Sequence, residues 1–321
     1  MKFFVAGLML LTISLSALVW HRNRDAGMRP DPVRVEVPHG PERTTKCMVW
    51  KAQRGAAVLW LCGSLHTLRA SDYPLPAPYL SAFGEAKRIV MELPPDYKPG
   101  AAMRKMGWLS DDRLLKDAVA PETWRVITEW TARSGIPLSS IESLKPWTAA
   151  LTVAEASQKA RDFDPEDGME PWFRARLGRI PAEGLETPEG QLGLFDSLSP
   201  EAQEKMLTLT LKEEATGISR IDRMVSGWSE GDAEQLAAII DEGFAEMPEL
   251  KRQLHGDRHR AWLPRLEALL GGNETVMVLV GCGHLVGKGS LVDLLRQKGV
   301  TLTQQQYSTT RRAPESSATP Q

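Results

Sequence analysis

The stretch Thr275-Val276-Met277-Val278-Leu279-Val280-Gly281-Cys282-Gly283-His284 decides the fold. Its first six residues read as a strand, bounded by glycine rather than continued at helical spacing. Glycine at the exit lets the backbone turn sharply and come close to a ligand. The same plan stands near the other end of the chain, where Ala57-Val58-Leu59-Trp60-Leu61-Cys62 leads into Gly63-Ser64-Leu65-His66. Each Gly-x-x-His sequence therefore hangs an imidazole beyond the carboxyl end of a strand, where ligand sites of α/β sheets gather.

Outward from these motifs the pattern divides into two strand-rich ends and a helical middle. Cys47–Ala52 and Ala57–Cys62 read as a hairpin about a two-residue turn at Arg54-Gly55, which sets Cys47 opposite Cys62. A disulfide there requires suitably close Cβ atoms; two small buried thiols are the other reading. Arg88–Leu93 is a third strand, stopped by Pro94-Pro95, and Val300–Gln304 a last one. Between about 100 and 270 the period is helical, with starts at Pro121, Trp147, Pro200 and the cap Asp232; a further helix runs from Ser290 to Lys298. The expected class is α+β: a central mixed sheet built from both chain ends, covered by the helical middle.

Composition narrows the function. With 42% hydrophobic and 25% charged residues the chain is an ordinary globular protein. Lys+Arg 39 against Asp+Glu 41 leaves a net charge of −2, which argues against a broad nucleic-acid surface. Three cysteines without CxxC spacing make neither a disulfide scaffold nor a zinc knuckle. Residues 1–22 hold the apolar run Phe3 to Trp20 behind Lys2, read as a signal peptide or an uncleaved signal anchor. Either one predicts an exported protein, periplasmic or extracellular, tethered to the membrane if uncleaved. Residues 23–44, with Pro30, Pro32, Pro38 and Pro41, suit an extended spacer. The domain proper is expected over 45–307, and 308–321 as an unstructured polar tail.

Glu92 ends the third strand at a place matching the two motif histidines, and a carboxylate in an apolar run wants a partner. Two imidazoles and one carboxylate suit a borderline divalent metal, with a position left open for water. His66, Glu92 and His284 are thus candidate ligands for Mn, Co or Zn, among which the donor types do not choose. Glu186, in Gly184-Leu185-Glu186-Thr187-Pro188, is a candidate base or extra ligand. Arg258 is a candidate oxyanion partner, or simply pairs with an acid.

The runs Leu61-Cys-Gly-Ser-Leu-His66, Asp72-Tyr-Pro-Leu-Pro76, Val90-Met-Glu-Leu93, Leu144-Lys-Pro-Trp147, Gly184-Leu-Glu-Thr-Pro-Glu-Gly-Gln-Leu192 and Val280-Gly-Cys-Gly-His-Leu-Val-Gly287 together resemble the TraB/GumN family, relatives of the Tiki metalloproteases. The resemblance runs in order over about 45–305. It implies a metal-dependent catalytic set carried by His66, Glu92 and His284, and a peptide or protein substrate. The chain departs from the family's pattern at Gly168-Met169-Glu170, where Gly-Leu-Asp is common, and at Arg258-His259, where Arg-Asn is common. It also carries Cys282 beside His284.

Other readings make different demands. Gly281-x-Gly283-x-x-x-Gly287 has the outline of a dinucleotide fingerprint, but the following strand ends without a ribose-binding acid, so no nucleotide cofactor is expected. A cysteine nucleophile at Cys282 would need a reactive thiolate. A tethered, non-catalytic binding or assembly module would use the histidines only to fix the fold.

Overall fold

The computed structural model describes residues 42–97, 100–110 and 112–310. The N-terminal apolar run, nearly all of the spacer and the end of the tail lie outside the described residues. No helix among the described residues is long and apolar enough to cross a membrane.

Six strands form one mixed sheet: β1 (Glu42–Arg54), β2 (Ala57–Ser64), β3 (Arg88–Met91), β4 (Ala182–Gly184), β5 (Thr275–Gly281) and β6 (Thr301–Thr310), in the order β4-β3-β5-β2-β1-β6. β4, β3, β5 and β2 pair in parallel, while β1 is antiparallel to β2 and to β6. The class is α+β, as the sequence pattern indicates. The parallel pairing follows from apolarity: β5 is buried from Val276 onward and β2 nearly throughout, so helices cover both faces. The middle of the chain supplies those helices, among them Pro121–Ser134, Pro146–Lys159, Pro200–Thr216 and Ala233–Phe244. Proline at the first helical position opens three of them, and the Asp232 side chain caps the fourth by accepting from the Gln235 amide.

The structure corrects three sequence-based expectations and decides the open reading of the cysteines. The hairpin turn is Gly55-Ala56, with Arg54 paired to Ala57, so Val49 rather than Cys47 faces Cys62. Gly55 has φ +57°, and a II′-type hairpin places such a glycine first in the loop rather than second. All three cysteines are free and buried. β4 comes from the helical middle; three residues are too few to show a period. Finally, the outer strands are longer than expected: β1 begins at Glu42 rather than Cys47 and β6 ends at Thr310 rather than Gln304, because Glu42, Arg43 and Thr44 pair with Thr310, Thr309 and Ser308.

One consequence of the topology matters most for function. The four parallel strands end on the same side, so the residues just beyond Ser64, Met91, Gly184 and Gly281 meet along one sheet edge.

Candidate functional site

Each of those strand ends delivers one polar side chain. β2 leads to His66, β3 to Glu92, β4 to Glu186 and β5 to His284. The short turn Cys282–His284 carries the last ring back over the sheet edge. Leu185 and Glu186 donate their amides to the Glu92 carbonyl at 3.1 and 3.0 Å, which pins the two carboxylate-bearing ends together. Arg258 joins them from the start of the helix Arg258–Leu270, directly after a π-helical turn at Arg252–Asp257. Such turns shift the register of a helix and are common at functional sites.

Arg258 is 4% exposed and binds almost everything around it. Its Nη2 donates to Glu92 Oε2 at 2.6 Å and to Glu186 Oε1; its Nε donates to Glu186 Oε2 at 3.1 Å. Nη1 donates to the Leu254 carbonyl at 3.1 Å and to His284 Nε2 at 3.0 Å. Gln191 bridges the two carboxylates, at 3.2 Å from Glu92 and 2.9 Å from Glu186. The other Glu92 oxygen, Oε1, accepts the Gly281 amide at 2.6 Å and lies 3.5 Å from His284 Nε2.

The two motif histidines are gripped from behind by the residues at the two departures from the family pattern. His66 Nδ1 lies 2.9 Å from Glu170 Oε1, which also accepts from the Ser64 hydroxyl. The Met169 amide donates to the Leu65 carbonyl at 3.1 Å, and a Cβ at Gly168 would fall 2.2 Å from the His66 carbonyl oxygen. Only glycine allows that approach, which seats Glu170 under the ring. His284 Nδ1 lies 2.8 Å from His259 Nε2, and His259 Nδ1 lies 2.8 Å from the Gly289 carbonyl.

The charges differ on the two sides. Burial opposes protonation of His66, but the Glu170 carboxylate, with help from Glu92, lifts it to about 9. Burial also opposes ionisation of Glu170, yet His66 and Ser64 hold it below the ordinary carboxylate range. His284 is pushed well below the usual imidazole value by burial and by the neighbouring guanidinium. Burial takes His259 down to about 4. Glu186 is raised by burial against the pull of Arg258. Cys282 is pushed up to about 12 by burial, and its Cβ packs 3.1 Å from where a Cβ of Gly63 would sit, against β2. A neutral, fully buried thiol is a poor nucleophile.

All five sequence-selected residues thus meet at one edge. Among the described residues, however, no group of three or more His, Cys, Asp or Glu side chains is gathered as a metal cage. Arg258 lies among these donors, and its cation takes His284 Nε2 and Glu92 Oε2. The donor set still fits a divalent cation in kind. His66 Nε2 is buried without a hydrogen-bond partner. With Glu92 Oε1 it lies 3.2 Å from the point where a Cβ of Gly281 would project, and His284 Cδ2 lies 3.6 Å from the same point. Two imidazoles backed at Nδ1, with Nε2 turned towards one carboxylate, is how proteins prepare metal ligands.

Sequence reading found the strand-end residues and Arg258 but not the other residues that hold them. His255, Arg258, His259 and Trp262 share the i, i+3, i+4, i+7 face of one helix, a signal present in the sequence. Their rings box in His284, whose centroid is 5.0 Å from both His255 and His259 and 4.8 Å from Trp262. Gln191, which joins the two carboxylates, gave no comparable signal.

The chain belongs to the TraB/PrgY/gumN family, whose family model matches residues 48–304. No curated protein and no solved structure matches it.

Proposed function

We propose that this member of the TraB/PrgY/gumN family is an exported metal-dependent hydrolase acting on a peptide or protein. His66, Glu92 and His284 would hold one divalent transition metal. The observation that carries the reading is the buried, partnerless His66 Nε2 facing Glu92 Oε1 across Gly281, with His284 on the third side. A divalent cation at such a site polarises a carbonyl and lowers the pKa of bound water to about 7. Glu186, partly open to solvent with its carboxyl raised by burial, is suited to take a proton from water and pass it to the leaving nitrogen. Arg258, whose five N–H groups are all engaged by Glu92, Glu186, His284 and the Leu254 carbonyl, is suited to offset charge that develops on the carbonyl oxygen through its positive field and not as a free donor. Glu170 and Gln191 keep His66 and the two carboxylates in place.

Elemental analysis of the full-length protein, with peptide-library turnover before and after chelator, tests this. About one equivalent of Mn, Co or Zn and chelator-sensitive, metal-restored cleavage is expected. Protein that folds, takes up none of the three and cleaves nothing would instead favour a binding or assembly module.

Gly281→Ala provides a sharper probe. Its φ is −49°, which alanine adopts freely, and its amide would still reach Glu92. The added methyl would sit 3.2 Å from both Glu92 Oε1 and His66 Nε2, inside the convergence point. Turnover should fall at least about 100-fold with the melting temperature changed by only a few degrees, because a close-packed pocket feels one methyl group. Wild-type kcat/KM in this variant would remove the point above Gly281 from the mechanism.

A further inference from the structure

The hydrogen bonds around His284 have only one consistent direction. A carbonyl oxygen can only accept, so the contact at the Gly289 carbonyl puts the proton of His259 on Nδ1. A neutral His259 then offers a bare Nε2, which must accept from Nδ1–H of His284. His284 is left with a bare Nε2 of its own, and there it meets Arg258 Nη1, which can only donate. A pure acceptor at one end and a pure donor at the other specify the same proton placement through two rings.

The far end of this relay is itself anchored. The Gly289 amide donates to Asp293 Oδ2 at 2.7 Å, and Ser290 caps the helix Leu291–Gln297 by accepting from the Asp293 amide at 3.2 Å. The Gly289 carbonyl is therefore held by a helix start, not by a free loop. His259 is 2% exposed and stands nearly edge-on to His284, with 77° between the ring planes.

We propose that His259 is a positioning residue: it accepts a hydrogen bond from Nδ1–H of His284, donates its own Nδ1–H to the Gly289 carbonyl, and so keeps Nε2 of His284 unprotonated where it meets Arg258, 3.5 Å from Glu92 Oε1. The inference rests on reading His284 as a ligand and names what prepares it. At the other motif a carboxylate, Glu170, does the backing; here a neutral ring does so without adding a buried charge beside Arg258.

Nuclear magnetic resonance of the full-length, metal-free protein with 15N-labelled histidine reads the proton directly, and titration with Co2+ reads the consequence. The wild type should show a slowly exchanging, hydrogen-bonded proton on His284 Nδ1 and an unprotonated Nε2. His259→Leu, which fills the space but cannot accept, should lose that slow exchange and bind Co2+ about 10- to 100-fold more weakly, the usual effect of losing an outer partner of a ligand. His259→Gln, whose side-chain oxygen reaches about as far as the ring nitrogen, should recover the protected proton and most of the affinity. A wild-type proton on Nε2 overturns the proposal. So does a folded His259→Leu that keeps both the protected Nδ1 proton and wild-type Co2+ affinity, and so does a lower melting temperature with affinity unchanged, which marks a packing role only. If His259→Leu does not fold, the wild type and His259→Gln decide: a protected Nδ1 proton in both supports the relay, and its absence from either rejects it. If the wild type takes up no Co2+, the hydrolase reading fails on its own account, while the proton's position still decides the relay.

Discussion

Arg258→Ala should destabilise the protein by about 3–5 kcal/mol at pH 8, the range for breaking a buried ion pair by removing one partner. Arg258 is the cation placed between Glu92 and Glu186, with side chains 4%, 6% and 14% exposed respectively. Without it two carboxylates share one Gln191 amide and repel each other in a low-dielectric pocket. The loss should shrink as pH falls. Burial already raises Glu186, and deleting the guanidinium removes the influence that lowers it. A carboxyl whose folded value lies above its unfolded value binds its proton more tightly in the folded state. Its relative contribution is complete below the unfolded value and is lost as pH rises through the folded one. Urea unfolding at pH 5 and pH 8 should therefore give a smaller difference from wild type at pH 5. Equal losses at both pH values would mean that the missing contacts to Leu254 and Trp262, not charge, account for the effect.

His66→Ala should show the opposite balance, a large loss of function with a small loss of stability. The ring contributes one hydrogen-bonded contact, to Glu170, and its Nε2 contributes none. The contact is an ion pair, but both side chains are 15% exposed and Glu170 keeps its Ser64 partner, so the cost should stay within about 1–3 kcal/mol, below the range for a fully buried pair. If His66 is a ligand, Co2+ affinity should fall more than about 100-fold, beyond what loss of an outer partner produces. Peptide turnover should fall below detection. The corresponding change at His284 is a less clean probe, because that ring is boxed by His255, His259 and Trp262 and its removal opens a cavity. Wild-type Co2+ affinity in a folded His66→Ala protein would dismiss His66 as a ligand and leave its free nitrogen unexplained.

Local chemistry made part of this protein readable from its residues alone. Apolar runs closed by glycine before His66 and His284, a carboxylate at the end of Arg88–Met91, and the change to helical spacing after about residue 100 are short-range features. Hydrophobic period and turn chemistry act over a few residues, so they mark strands, helices and their exits wherever they occur. The family resemblance rests on the same short runs, and the family match over 48–304 agrees with it. Even so, a local reading set the hairpin turn one residue early and offered no trace of the three-residue β4.

Which side chains touch was a matter for the tertiary structure. The Arg258–Glu92 pair spans 166 positions and the Ser64–Glu170 contact 106. The sequence marks neither pairing, because partners so far apart along the chain are brought together only by the packing of the whole fold. Parallel strand order put four carboxyl ends on one side, a π-turn aimed Arg258 and His259 at them, and Gly168 let Glu170 close in beneath His66. Residue types at strand ends could therefore nominate His66, Glu92 and His284, whereas burial and long-range hydrogen bonding determined which nitrogen each imidazole presents.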